Sequence, residues 1–206
     1  MRAPAKRAFD AAASAIVLFV LAPLFAIIAI SIKLDSRGPV FFTQQRVGRG
    51  GRPFRIVKFR TMVADADRRG PNVSATHDLR ITRVGEFLRR CFLDEAPQLV
   101  NVLTGDMSLV GPRPETPEYV ALLNAEQRRV LSVRPGMTGP SALAYSPGEA
   151  ATLAAHDDPD RYYRERLLHE RIAADLRYLD DGGLRADARI LARTAVVVAA
   201  ALTSRR

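Results

Sequence analysis

The chain has 206 residues, enough for one compact domain with its own core and too few for a second of ordinary size. Its 31 basic and 22 acidic residues leave a formal charge of +9, which suits nucleic acid, an anionic membrane surface or a phosphorylated substrate. Trp is absent and the five Tyr and nine Phe are scattered, so there is no platform for stacking bases and nucleic acid is not an expected partner. Cys91, the one cysteine, can form no internal disulfide, and His77, His156 and His169 are too far apart in sequence for a compact metal site. A reducing compartment follows.

From Ala12 to Ile32 no residue is charged, about the length that crosses a bilayer core as a helix. The run continues straight into Lys33-Leu34-Asp35 without a small-residue cleavage site, so it reads as a retained membrane element rather than a signal peptide. Pro23 sits at its middle, and proline both removes a backbone donor and clashes with the preceding turn. A bend or break is therefore expected at Ala22-Pro23. Arg2, Lys6 and Arg7 precede the run and Lys33 and Arg37 follow it, which nearly balances the positive-inside bias. Two topologies stand: a broken helix that enters and leaves by one face, and a kinked helix that crosses. The chain divides on this reading into an anchoring helix over 1–36, broken near Pro23, and a globular domain over 37–206.

Between Val40 and Thr61, apolar and polar residues alternate around Val47-Gly48-Arg49-Gly50-Gly51, which predicts a β-hairpin. Asp65 to Asp78 is polar, contains Gly70-Pro71 and reads as a loop with His77 facing solvent. A helix is predicted from about Ile81 to Arg90, and a second starts near Asp94, presents Leu99, Val102 and Leu103 on one face and stops before Gly105. Pro159 to Asp180 has Leu167, Leu168, Ile172, Leu176 and Leu179 at helical spacing among charges, so it reads as amphipathic. Tyr162-Tyr163 serve packing or interfacial anchoring. The last helix, from Leu184 to about Leu202, is too short in its apolar part for a span and is expected to dock on the core or lie at the interface. Cys91 reads as a small core residue. The fold class is α+β and mostly helical, with amphipathic interfacial helices around a small catalytic domain.

Asp94-Glu95 sets two carboxylates side by side, with Pro97 placing them in the first turn of a helix, where the positive helix end favours anions. An exposed helix start is one reading. Adjacent carboxylates repel, so a buried pair needs a metal ion, basic neighbours or a shared proton. Lys58, Arg60, Arg89, Arg90, Arg113 and Arg134 supply basic neighbours in sequence, a set that matches a diphosphate held by cations beside a nucleophile and a Mg²⁺ ligand. Gly105 to Pro114 reads as a rigid loop that displays Arg113 between two prolines, a costly arrangement unless the direction of the side chain matters.

Lys58-Phe59-Arg60-Thr61-Met62, Asp94-Glu95 with Pro97-Gln98-Leu99, Asp106 to Pro114, and Arg134-Pro135-Gly136-Met137-Thr138-Gly139 occur in the order that resembles bacterial sugar transferases, the small monotopic phosphoglycosyl transferases that load polyprenyl phosphate. The resemblance is specific from the apolar helix to about Gly139 and looser beyond. It implies transfer of a sugar 1-phosphate from a UDP-sugar to polyprenyl (undecaprenyl-type) phosphate, giving polyprenyl-diphosphate-sugar and UMP, the first membrane step of bacterial glycoconjugate assembly. It also implies Asp94 as the nucleophile that forms a covalent aspartyl phosphosugar, with Glu95, joined by Asp94, at the required Mg²⁺. Lys58, Arg60, Arg89, Arg90, Arg113 and Arg134 are the phosphate contacts expected beside them. The expected place is the bacterial inner membrane in contact with lipid, through a re-entrant helix and with the catalytic domain on the cytoplasmic face; a homo-oligomer is compatible with it. Two departures stand out. Relatives commonly carry Ser-Pro where this chain has Ala22-Pro23, and many continue after Gly139 with a Gln-Val-Asn-Gly-Arg-like stretch where this chain has Pro140-Ser141-Ala142-Leu143-Ala144-Tyr145. A nucleotide-sugar hydrolase with the same intermediate and a non-catalytic membrane-tethered basic scaffold are the alternatives.

Overall fold

A helix that is apolar for most of its length must leave one face unburied unless the protein surrounds it. In the computed structural model, which describes residues 4–66, 78–146 and 148–203, helix α1 (Pro4–Asp35) takes this form. Its outer face exposes Ile16, Phe19, Val20, Ile27 and Ile30. Ile28 and Ile32 face inward and pack on Phe59 and Leu88, with Leu24 and Phe25 against the same cluster. α1 is long and apolar enough to cross a membrane.

The break expected at Ala22-Pro23 is corrected: α1 runs as one helix with Pro23 inside it. Proline removes one hydrogen bond from the ladder, and the long turns on either side, the second of them packed on Phe59, carry the helix through. Both ends of α1 dock on the rest of the chain. At the first end, Lys6 bridges Asp10 (3.5 Å) and Asp187 (3.1 Å), and Asp10 accepts the Ser108 hydroxyl at 2.7 Å. Arg7 donates to the carbonyls of Val102 and Leu103. At the other end, Arg60 donates to the carbonyls of Ser36 (2.8 Å) and Arg37 (2.9 Å) and to the Ser36 hydroxyl (3.0 Å), just past the helix, and at 3.4 Å to the Ile32 carbonyl in its last turn.

The predicted hairpin is present as β1 (Phe41–Val47) and β2 (Pro53–Phe59), antiparallel with Phe41 opposite Phe59 and Val47 opposite Pro53. Gly50 and Gly51 turn the chain at positive φ, where only glycine is unstrained. The loop expected over 65–78, His77 included, lies almost wholly outside the described residues. Helix α2 (Arg83–Arg90) begins at Thr82, whose hydroxyl accepts the Gly85 N–H at 3.0 Å.

The helix expected to start near Asp94 instead begins later. Leu93–Glu95 forms a separate 3-10 turn, and α3 (Gln98–Thr104) follows Pro97 and ends on Gly105 at φ 97°. Asn101 pins α3 to the hairpin, donating to the Arg55 carbonyl (2.8 Å) and accepting the Val57 N–H (3.0 Å). Within Gly105–Pro114, read from sequence as a loop, Ser108–Val110 is a strand, β3, that pairs in parallel with β4 (Gly136–Thr138). The crossover between them contains α4 (Pro117–Ala121). So two of the sequence motifs are one two-stranded ladder. A Cβ on Gly111 would stand 2.7 Å from the Arg134 carbonyl, and one on Gly136 would strike the Gly111 backbone. Only glycine permits that approach.

The divergent stretch after Gly139 forms α5 (Pro140–Tyr145), followed by α6 (Glu149–Ala154). The amphipathic segment is helical throughout, as α7 (Pro159–Tyr162), a π turn over Tyr163–Leu167 and α8 (Leu168–Asp181). Tyr163, Leu167, Leu168 and Ile172 bury against Tyr119, Leu123, Val130 and Leu153. The final helix, α9 (Leu184–Thr203), docks on β4 through a 2.8 Å hydrogen bond between Thr194 and Thr138. Cys91 is buried, as its core reading requires.

Candidate active site

Phe92, in the left-handed backbone region at φ 56°, is the one described non-glycine residue with positive φ, and the Asp94-Glu95 turn begins directly after it. A bulky residue in this conformation is held there by its surroundings. The turn delivers both carboxylates to the floor of a cavity of about 860 Å³. Lys58, Arg89 and Arg113 line the same floor, and Val17 and Leu21 of α1 with Leu191, Ala195 and Val198 of α9 line its apolar walls.

Lys58, projecting from β2, places Nζ 2.6 Å from Glu95 Oε1, and Arg113 Nη1 stands 4.0 Å from the same oxygen. Arg89, from α2, is fixed by a 2.8 Å hydrogen bond from Nε to the Thr61 hydroxyl. The two carboxyls are driven apart. Burial, then the like charge of Glu95, raises the Asp94 carboxyl above its ordinary range, against the pull of Lys58 and Arg89. Burial acts on Glu95 in the same direction, but Lys58 and Arg113 outweigh it and hold that carboxyl at about 2.

Of the expected phosphate contacts, Lys58, Arg89 and Arg113 are brought together around the carboxylates. Arg60 borders the cavity, yet it is 4% exposed and both its terminal nitrogens are committed to the end of α1. Arg134 caps α3, donating from Nε to the Gly105 carbonyl at 2.7 Å. Arg90 is exposed and lies over the Phe87 ring at 5.7 Å, outside the cavity lining.

Sequence reasoning missed several members. Arg46 donates to the Pro114 carbonyl at 3.1 Å and stands 3.9 Å from Glu115, which accepts the Tyr163 hydroxyl at 3.0 Å. The signal was available for Arg46: strand alternation puts it on the same face as Phe42 and Gln44, toward the protein. Asp175 of α8 accepts the Arg113 N–H (3.0 Å) and the Ser141 hydroxyl (2.8 Å), so α5 and the Arg113 loop share one buried carboxyl. Burial raises that carboxyl to about 6.

Among the described residues, no three Asp, Glu, His or Cys side chains are grouped to form a metal cage. Asp94 and Glu95 offer oxygen donors only, which suits Mg²⁺ held by one or two carboxylates together with substrate phosphates.

A long apolar helix and a cavity lined by paired carboxylates, cations and apolar side chains thus lie side by side, the arrangement of a concave ligand site with a few charged groups on an apolar lining. The chain belongs to the bacterial sugar transferase family, whose sequence pattern it matches over residues 1–201. It is 42% identical over 193 residues to an undecaprenyl-phosphate glucose phosphotransferase of Komagataeibacter xylinus, covering 90% of this chain and 34% of that protein. It is 41% identical over 194 residues to a UDP-glucose:undecaprenyl-phosphate glucose-1-phosphate transferase of Caulobacter vibrioides, covering 92% of this chain and 67% of that one. With an exopolysaccharide production protein of Rhizobium leguminosarum bv. phaseoli it shares 39% identity over 206 residues and 93% of each chain. The chain thus spans about a third of the first relative's length, two thirds of the second's and nearly all of the third's.

Proposed function

We propose that the protein transfers a sugar 1-phosphate from a UDP-sugar to polyprenyl phosphate, releasing UMP, with residues 37–206 as the catalytic domain and 1–36 as its membrane anchor. The observation that carries this is the joining of an Asp-Glu pair to three cations at the floor of a cavity whose walls are apolar helices. A carboxylate oxygen of Asp94 attacks the β-phosphorus of the donor; the bond from that phosphorus to the bridging oxygen breaks, and UMP leaves with the oxygen. An oxygen of polyprenyl phosphate then attacks the same phosphorus, the bond to Asp94 breaks, and the carboxylate is restored. Lys58, Arg89 and Arg113 hold phosphate oxygens and oppose the charge that gathers on them. Mg²⁺, held by Glu95 with Asp94 when bound, supplies further neutralisation of the diphosphate.

The same reading gives the membrane arrangement. Lys6, Arg7 and Asp10 at one end of α1 and Ile28 and Ile32 at the other all meet one globular unit, because α3, which receives Arg7, is pinned by Asn101 to the hairpin that supports Ile32. Both ends of α1 therefore stay on one face of the bilayer, the cytoplasmic face of the inner membrane, with Phe19, Val20 and Ile27 toward lipid and α9 at the interface beside it. The test is capture of labelled sugar phosphate from UDP-sugar on the intact chain, followed by its discharge on adding polyprenyl phosphate. Asp94→Asn is expected to capture none. Label persisting in that variant would sink the assignment, and UMP release sustained without polyprenyl phosphate would make the protein a hydrolase.

A further inference from the structure

Two residues past Arg113 the chain carries a buried acid that the proposed chemistry does not use. Glu115 is 4% exposed and lines the cavity, as does Tyr163, the first residue of the π turn between α7 and α8. The backbone of Glu115 is fixed, since its carbonyl accepts the Val47 N–H at 3.0 Å. Its side chain is only partly served. Oε2 accepts the Tyr163 hydroxyl at 3.0 Å and stands 3.9 Å from Arg46 Nη1, beyond hydrogen-bond reach. Oε1 accepts no hydrogen bond among the described residues, and it is not one of the polar atoms sealed from solvent. An ionised carboxylate has about four lone-pair positions, so one neutral donor is little for a group so buried. π turns are rare inside α-helices and frequent at functional sites. This one sets the Tyr163 hydroxyl on Glu115.

We propose that Glu115 binds ring hydroxyls of the donor, accepting them at Oε1 while Tyr163, a positioning residue, fixes the carboxylate from Oε2. Placement follows from the chain. Arg113 and Glu115 are two residues apart, so their Cα atoms lie no more than about 7 Å from each other. A diphosphate oxygen held by Arg113 thus leaves the ring beside it within reach of Glu115. Hydroxyl donors are what an acceptor-only carboxylate lacks, and a hydrogen bond from a hydroxyl to it is charge-assisted. Phosphate is the part of the donor that Glu115 repels, so the two side chains sort an anionic group from a neutral one. The inference rests on reading the cavity as a UDP-sugar site, and the ring is the ribose or the transferred sugar.

UDP, 2′,3′-dideoxy-UDP, UDP-glucose and UDP-N-acetylgalactosamine are the probes, titrated by calorimetry with Mg²⁺ present. The protein is the full chain in lipid nanodiscs carrying Asp94→Asn, which prevents transfer. Affinity for UDP over dideoxy-UDP reports the ribose hydroxyls, and affinity for the tighter UDP-sugar over UDP reports the sugar. Glu115→Gln is expected to lower one of these ratios about tenfold, and the ratio that falls names the ring. Tyr163→Phe keeps the ring that packs on Tyr119 and is expected to lower the same ratio about threefold, which decides the matter where Glu115→Gln does not fold. A general loss of packing would weaken all the ligands alike and leave the ratios unchanged. Ratios that hold within twofold would therefore overturn the proposal, as would a chain that binds neither UDP nor a UDP-sugar. Unchanged ratios in a protein whose wild type captures labelled sugar phosphate would remove this proposal alone. Ratios that fall in a protein that captures no label would instead remove the transferase reading and leave the hydroxyl site in place.

Discussion

Arg60 lies in a motif that reads as phosphate-binding, yet its side chain is spent on the end of α1. Arg60→Met keeps the aliphatic stem and removes four hydrogen bonds, three of 2.8 to 3.0 Å to the Ser36 and Arg37 carbonyls and the Ser36 hydroxyl and a long one of 3.4 Å to the Ile32 carbonyl. At about 1 to 2 kcal/mol net for each bond from a charged donor, reduced by water that reaches the exposed helix end, the loss is about 3 kcal/mol. For a chain of this size that is a fall in melting temperature of about 10 °C. The same number should not appear in ligand binding. Thermal unfolding in nanodiscs, followed by circular dichroism, gives the first quantity, and UDP titration well below the transition gives the second, expected within twofold of wild type. An unchanged melting temperature with UDP affinity reduced tenfold or more would refute this assignment and return Arg60 to the phosphate site.

The remaining expectations concern the carboxylate pair, the β3–β4 ladder and the anchor. The acid limb of the rate of UMP release should lie above the ordinary carboxylate range, because burial and Glu95 raise Asp94 and its ionised form is lost as pH falls through that raised value. Lys58→Met removes a charge that favours ionised Asp94, so the limb should move higher; one that stays in place would separate Lys58 from the pair. Gly136→Ala forces a methyl into the Gly111 backbone and should cost about 3 kcal/mol in thermal unfolding, whereas an unchanged transition would deny the close approach. In a Cys91→Ser chain, cysteines placed at Ala5 and at Arg37 should react with an impermeant maleimide from the same side of the membrane, and reaction from opposite sides would end the one-face arrangement.

The elements that were legible in the sequence are those fixed by neighbours along the chain. Alternation around Gly50-Gly51 defines the hairpin, Gly105 marks the end of α3, and the apolar spacing from Leu167 to Leu179 defines α8, because turn geometry and helical period act over a few residues. Pro23 does not interrupt α1, since a single missing donor is a local loss in a helix of 32 residues. The β3 strand was invisible because three residues in a parallel pair have no period, and their partner lies a crossover away. The same holds for the cations. Nothing near Arg60 or Arg134 in sequence says that each ends on carbonyls at or just past a helix end, and nothing near Glu149 or Arg171 says that the two form an ion pair.

The carboxylate pair shows how far that matters for chemistry. In sequence Asp94 and Glu95 are adjacent and nearly equivalent, and their spacing alone gives no reason to assign them different roles. In the fold Lys58 reaches Glu95 at 2.6 Å and Arg113 stands on the same oxygen's other contact at 4.0 Å, so the two carboxyls move in opposite directions. Glu95 stays ionised over any physiological pH and suits a permanent electrostatic duty. Asp94, less stable as an anion, is the more basic carboxylate, which suits the nucleophile proposed for it: once its proton has passed to water, a more basic oxygen attacks more readily. The proposed division of labour thus follows from which cations lie closest to each carboxyl, and those distances depend on the hairpin and on the Arg113 loop that Asp175 holds from α8.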